Sequence, residues 1–257
     1  MEFLQAKDKT LTKRDFCELL ERVGIGRADC ICVHTELFNL GLALVKKEQF
    51  LHILLSSFRE ILGPKGTLIM PTFTYDFCRG RDFDKRHNKS TMGILTEFFR
   101  RQEGVVRTDD PIYSFALEGE GVRDFLHQAR TCFGEGCVYD VLSKRRGKIV
   151  LLGSDAVGYT FTHFIEERAG VGYRYYKKFS GKIIDEQGMS RHSSIWLFVR
   201  HLERKSIFSL EKQRQILEES ENFKREIFGN APLVSIEARG YLEETLRALE
   251  RDDSALL

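Results

Sequence analysis

Lys148-Ile-Val-Leu-Leu-Gly153-Ser-Asp-Ala-Val-Gly158-Tyr-Thr160-Phe-Thr-His163-Phe-Ile-Glu166-Glu spells out a strand, a loop and a helix. Residues 149–152 are an apolar run that reads as a buried strand. Gly153 ends it, and a small polar loop leads to a helix starting at Thr160 or Thr162. His163 lies in the first turn of that helix, and Glu166, three residues on, shares its face. An imidazole beside a carboxylate at the mouth of a strand–loop–helix unit can serve as a general base with an orienting partner. The same spacing occurs in solvated surface pairs that do little. Asp155, in the preceding loop, is a second candidate for backing the imidazole.

The rest of the chain sets this unit among layers. Thr12 is a good helix cap, and Phe16, Leu19, Leu20 and Val23 then recur at helical spacing until Gly24. Residues 30–33 read as a strand. Phe50, Ile53, Leu54, Phe58 and Ile61 form a second helical stripe, closed by Gly63-Pro64. Residues 67–70 form a second buried strand, ended by Pro71. Helices are expected at 93–99, capped by Ser90 or Thr91, at 121–128 and at 138–143. This alternation predicts an α/β fold with a mostly parallel or mixed central sheet. Beyond Tyr173 the pattern changes. Residues 179–184 and 195–199 flank the turn-like Asp185-Glu-Gln-Gly188 and predict an antiparallel hairpin in the C-terminal third. Helical patterns follow at 211–219 and 238–250, and Asp252-Asp-Ser-Ala is expected to fray. No repeat or linker divides the 257 residues, so 1–257 reads as one domain.

Lys and Arg number 40 against 38 Asp and Glu, so no charge excess argues for a nucleic-acid partner. The start lacks the apolar stretch of a signal peptide and the apolar runs are strand-sized, which predicts a cytoplasmic protein with no membrane partner. The cysteines, at 17, 30, 32, 78, 132 and 137, include no CxxC pair and read as reduced thiols. Cys30 and Cys32 alternate along a strand and should share one face. Cys132 and Cys137 flank a loop in which no neighbouring residue looks like a base for a reactive thiol. His34 reads as structural, His52 and His127 as surface residues on helices, and His192 as a substrate contact near the hairpin. His-x-x-Glu lacks the second histidine of the zinc-hydrolase motif, and no metal is expected.

Four loops at strand ends carry small, polar or aromatic residues: His34-Thr-Glu-Leu-Phe38-Asn-Leu-Gly41, Pro71-Thr-Phe-Thr-Tyr75-Asp-Phe, Ser90-Thr-Met-Gly93 and Arg107-Thr-Asp-Asp-Pro111-Ile-Tyr-Ser114. Seven pieces then stand in a telling order. They are His34-Thr35-Glu-Leu37, Gly63-Pro-Lys-Gly66-Thr67-Leu-Ile-Met70-Pro71-Thr72, Met92-Gly93 with Glu97 and Arg100, Gly104-Val-Val-Arg107-Thr-Asp-Asp-Pro111 with Ser114, Phe133-Gly134, Leu151-Leu152-Gly153, and Thr160-Phe-Thr-His163-Phe-Ile-Glu166. Between about residue 28 and about residue 170 the chain thereby resembles the aminoglycoside 3-N-acetyltransferase family, the antibiotic N-acetyltransferases.

The resemblance implies a three-layer α/β/α sandwich and an acyl-CoA-dependent N-acyltransferase. His163 and Glu166 would then be catalytic, since an attacking amine must lose a proton to a base. Acyl-CoA, carrying acetyl or a short hydroxyacyl group, would lie against Thr35, Phe38, Thr72, Phe73, Ser90, Met92, Gly93, Arg107 and Ser114. Arg107 would pair with a phosphate or, alternatively, with Asp109 or Asp110. Core packing is the alternative for Phe38, Phe73 and Met92. The acceptor would meet Glu36, Tyr75, Asp76, Arg79, Arg81 and Arg86. Members acting on aminoglycosides carry His-Pro after an Arg-Ser pair, where this chain has Arg107-Thr-Asp-Asp110-Pro111. Their acceptor grooves are acidic, whereas Arg79, Arg81, Lys85, Arg86 and Lys89 crowd this one, as suits phosphates or a solvated charge run. The expected substrate is therefore a nucleotide-linked amino sugar used for surface polysaccharide. An aminoglycoside acetyltransferase is the alternative, and a non-catalytic CoA- or glycan-binding protein the second. A hydrolase using Cys132 or Cys137 ranks last. Partners are expected to be small molecules, and homo-oligomer formation is left open.

Overall fold

Along the strand Cys30–Thr35 the side chains alternate between two hydrophobic clusters: Cys30 and Cys32 join one, Ile31 and Val33 the other. The structure, a computed structural model, describes residues 1–7 and 9–257. This strand is the centre of a seven-stranded sheet. Its parallel neighbours are Lys148–Leu152 and Thr67–Pro71. Antiparallel strands extend both flanks, with Ala231–Glu237 and Lys224–Phe228 beyond the first neighbour and Phe115–Gly119 and Val106–Arg107 beyond the second. The sheet is thus mixed, and parallel only at its centre.

Helices cover both faces, because both sets of alternating side chains are apolar and must leave water. Lys13–Arg22, Lys47–Leu62 and Ile94–Phe99 pack on the Ile31 face. Val138–Lys144, Phe161–Ala169, Leu210–Glu219 and Ala238–Arg251 pack on the Cys32 face. The result is the three-layer α/β/α sandwich. Thr12 caps the first helix through a capping box with Asp15, and Gly63 closes the second.

The expected hairpin is present and longer than its apolar core suggested: Arg174–Ile184 pairs antiparallel with Ser190–Arg200. Asp185 ties the turn, its Oδ1 accepting from the amides of Gln187 and Met189 at 3.0 and 2.8 Å. Phe83–Asp84 adds to the hairpin as a parallel strand. A small separate sheet joins Glu2–Ala6 to Lys9–Thr12 and Leu42–Ala43.

Three expectations about elements are corrected. Residues 121–128 form only a short turn, Val122–Phe125. Phe125 finds a slot in the core while Leu126 is left exposed, so the apolar spacing has no second layer to pack against. His127 therefore sits outside any helix. The Ile94–Phe99 helix is capped by position at Gly93, because Ser90 Oγ meets Thr96 Oγ1 and Thr91 donates to the Phe73 carbonyl. The C-terminal end is docked, with Leu256 and Leu257 buried and the Leu256 carbonyl accepting from the Ser209 amide at 2.7 Å. Among the described residues no helix is long and apolar enough to cross a membrane.

Candidate active site

The path from the sheet to His163 depends on two glycines. Gly153 turns at φ +92, and a Cβ there would lie 2.2 Å from the Glu36 carbonyl oxygen. Gly158, at φ +95, would drive a Cβ to 2.9 Å from His34 Cβ and 2.6 Å from Leu151 Cδ2. Only glycine fits such approaches at positive φ. The loop is pinned by Asn39 Nδ2 donating to the Gly153 carbonyl at 2.9 Å. It feeds the helix Phe161–Ala169, whose Phe161 and Phe164 are buried and fix its rotation. His163 is then half-exposed and Glu166 fully buried.

The two side chains meet as their spacing predicted. His163 Nδ1 stands 2.9 Å from Glu166 Oε2. Arg174, the first residue of the hairpin, brings Nη2 to 2.7 Å from the same oxygen and 3.0 Å from His163 Nδ1. Tyr173 Oη donates to Glu166 Oε1 at 3.0 Å. Burial alone would raise the Glu166 carboxyl, but the hydrogen bond from His163 and the charge of Arg174 outweigh it and hold it below its ordinary value. Tyr173 and Arg174 escaped the sequence reading. They lie in another element, and no spacing rule links them to the helix.

His163 and Arg174 line a cleft of about 490 Å³ between this helix and the hairpin, with Phe133, Phe198, Arg200 and Phe208 on its walls. Aromatic rings run toward it from the neighbouring strand ends. Tyr75 lies 6.0 Å from Tyr113, Tyr113 4.5 Å from Phe133, and Phe133 5.7 Å from His163. Phe73 supports Tyr113 edge-on at 4.8 Å.

The remaining expected contacts divide by exposure. Thr35, Phe38, Ser90, Met92 and Gly93 reach the surface, Phe38 with 80% of its area free. Gly93 sits against Thr35, whose carbonyl oxygen would lie 3.8 Å from a Cβ there. Thr72, Phe73, Ser114 and Arg107 are buried. Among the described residues Arg107 makes no ion pair with Asp109 or Asp110. Nε donates to Ser114 Oγ at 3.0 Å and Thr72 Oγ1 at 3.2 Å, Nη2 to the Thr72 carbonyl at 2.7 Å, and Nη1 to the Asn88 and Lys85 carbonyls at 2.7 and 3.2 Å. Its guanidinium stacks on Phe83, and burial lowers its value to about 9. Arg107 therefore braces the loop behind the site.

Of the acceptor residues, Tyr75 is partly exposed and Glu36 half-buried, near Gly153. Asp76 takes Arg81 and Asn88, each at 3.2 Å. The basic run is largely neutralised: Lys85 bridges Asp109 and Glu186 at 2.7 and 2.6 Å, and Arg86 lies 3.8 Å from Asp84. Arg79 is exposed with no ion pair among the described residues, and none of Arg79, Arg81 and Arg86 lines the His163 cleft. His192 is exposed on the hairpin and also lies off the cleft.

Asp155 does not back His163, because Arg225 and Arg214 hold it at 2.8 and 3.3 Å. Burial pushes the Cys137 thiol up to about 12 and the Cys132 thiol well above its ordinary value, so neither is poised as a nucleophile. Among the described residues no group of three or more His, Cys, Asp or Glu is placed to hold a metal ion.

Comparison with known proteins gives the family and the fold. The family model described as aminoglycoside 3-N-acetyltransferase matches residues 32–250. A Bacillus subtilis (strain 168) protein described as "SPbeta prophage-derived aminoglycoside N(3')-acetyltransferase-like protein YokD" is 23% identical over 181 residues, covering 61% of this chain and 65% of that protein. The chain thus matches slightly less than two thirds of that relative's length. Solved structures share the fold over nearly the whole chain. Aminoglycoside acetyltransferase AAC(3)-Xa is 19% identical with a TM-score of 0.81, over 94% of this chain and 93% of that one. AAC-IIIb in a binary complex with CoASH is 21% identical with a TM-score of 0.81, over 94% and 97%. The YokD crystal structure is 20% identical with a TM-score of 0.80, over 99% and 97%.

Proposed function

The chain belongs to the aminoglycoside 3-N-acetyltransferase family, and from that premise we propose that it moves an acetyl or other small acyl group from coenzyme A to an amine of an aminoglycoside-like amino sugar. The observation that carries this reading is the buried Glu166 carboxylate 2.9 Å from His163 Nδ1 at the wall of a cleft. That contact leaves His163 Nε2 as the basic atom on the cleft side. As the amine nitrogen forms its bond to the thioester carbon, His163 takes the amine proton and Glu166 stabilises the imidazolium. The carbon–sulfur bond then breaks, and the imidazolium returns its proton to the departing thiolate.

The residues present fit coenzyme A. Apolar walls at Phe133, Phe198 and Phe208 suit an acyl group and its pantetheine arm. The exposed Phe38 ring and the surface formed by Thr35, Ser90, Met92 and Gly93 lie at the same sheet edge and suit the rest of the molecule. Thr72, Phe73, Arg107 and Ser114 would act from behind, fixing the loops that carry these contacts.

Two findings support the aminoglycoside acceptor over a nucleotide-linked one. The relatives carry aminoglycoside names, and the basic run that motivated a phosphate partner is mostly paired within the chain. Arg200 on the cleft wall favours an acceptor with an anionic group, which keeps the nucleotide-linked amino sugar as the second reading.

The test is thiol release from acetyl-CoA across a panel of aminoglycosides and nucleotide-linked amino sugars. The highest kcat/KM should fall on an aminoglycoside. Preference for a nucleotide sugar would reverse the acceptor assignment and leave acyl transfer intact. No thiol release with any amine would sink acyl transfer itself.

A further inference from the structure

A buried carboxylate requires a counter-charge, and Glu166 has two candidates within contact: the imidazolium of His163 and the guanidinium of Arg174. Which of them serves decides whether His163 is free to act as a base. We propose that Arg174 is the standing counter-ion of Glu166, so that His163 stays neutral with its proton on Nδ1 and a free lone pair on Nε2. The proposal rests on the acyl-transfer reading above and adds a positioning residue to it.

The geometry supports this assignment in three ways. Arg174 is fixed, with only 7% of its side chain exposed and Nη1 donating to the Phe198 carbonyl at 3.1 Å. Its Nη2 lies closer to Glu166 Oε2, at 2.7 Å, than to His163 Nδ1, at 3.0 Å. Nδ1 stands between a donor and an acceptor, so two tautomers compete. If Nδ1 were unprotonated, its lone pair would face the carboxylate oxygen at 2.9 Å. If Nδ1 carries the proton, that contact becomes a charge-assisted hydrogen bond. The second arrangement is favoured, and it leaves Nε2 as the base.

The other charged and titratable groups around His163 make different contacts. On its own helix Glu167 is turned away, accepting from Thr131 and lying 3.5 Å from Tyr176 Oη. From the hairpin side come Tyr173, bound to Glu166, and Arg200, on the cleft wall. Tyr113 also lines the cleft, and Tyr241 of the last helix bonds Thr162. Arg174 alone makes polar contacts with both members of the pair among the described residues.

The experiment combines two readouts on native protein, Arg174→Gln and Arg174→Lys. Nitrogen-15 histidine NMR, with His163 assigned by its loss in His163→Ala, reports tautomer and titration midpoint. The pH profile of kcat/KM, with acetyl-CoA and the best acceptor, reports the base. Native His163 should be the Nδ1-protonated tautomer. In Arg174→Gln the imidazolium should become the counter-ion, raising the midpoint by about one unit. The acid limb of kcat/KM should move with it, with roughly a tenfold loss below the limb and recovery toward native rates above it. Arg174→Lys should hold the midpoint near the native one.

A native Nε2-protonated ring would overturn the proposal, whether or not any variant folds. So would an Arg174→Gln midpoint equal to the native one, with activity reduced by the same factor at every pH. If no amine is acylated, the functional reading fails, while the NMR still decides the role of Arg174.

Discussion

His34 and His163 stand at the same edge of the sheet, one ending the strand Cys30–Thr35 and the other beyond Lys148–Leu152, yet their surroundings differ in every respect. His34 is 4% exposed, and among the described residues its Nδ1 has no partner. Its Nε2 lies 3.4 Å from Tyr139 Oη and 4.0 Å from Cys32 Sγ. Burial, with no carboxylate to oppose it, lowers its value to about 4. His163 faces a cleft and is tied to a buried carboxylate that has its own cation. On the proposed reading, position at a strand end does not by itself make a histidine a base; a partner that stabilises its charged form and access to a substrate are needed as well.

The comparison breaks most sharply at His163. His163→Ala should fold and lower turnover by about two to four orders of magnitude, the usual worth of a general base. Near-native turnover in the folded variant would remove His163 from the mechanism.

His34 should show itself in stability instead. Its folded value is lowered from 6.5 to about 4, so in that window the unfolded chain holds more protons than the native one. Its contribution is complete above the window and is lost as pH falls through it, by about 3 kcal/mol. Asp110 and Glu167, raised by burial, act in the opposite direction. The readout is therefore the difference between native protein and His34→Gln in urea unfolding at pH 7, 5.5 and 4.5. That difference should shrink toward low pH. A constant difference would mean that His34 is not held neutral.

The smallest effect is expected in the basic run. Neutralising Arg79, Arg81 or Arg86 singly should change the acceptor KM by less than about twofold, as for exposed pairs. A rise of about fivefold or more in KM, with the coenzyme A constant unmoved, would restore a phosphate-bearing acceptor.

What could be read from the sequence follows from the range of the interactions involved. Helical stripes such as Phe50–Leu54–Phe58 and continuous apolar runs such as residues 149–152 are local patterns, and they placed the central strands and their helices. The His163–Glu166 contact is one helical turn and was equally legible. The edge strands Val106–Arg107 and Lys224–Phe228 carry mixed residues on short segments, and only pairing across the sheet defines them. Arg174 reaches Glu166 through a chain reversal at Gly170 and the hairpin, so spacing gave no sign of it. Charge counting could not show internal partners either. Arg107 and Lys85 looked available for phosphates, yet one is spent on carbonyls and hydroxyls and the other on Asp109 and Glu186.

The central claim is that His163 drives direct attack of an amine on the thioester, with no acyl group passing through the protein. Initial rates measured against acyl-CoA at several fixed acceptor concentrations test it most directly, alongside mass spectrometry of protein incubated with acyl-CoA alone. With Cys132 and Cys137 buried and their thiols held protonated, the reciprocal plots should intersect and the protein mass should stay unchanged. Parallel lines together with an acyl-protein adduct would contradict the account and place a covalent nucleophile in the reaction.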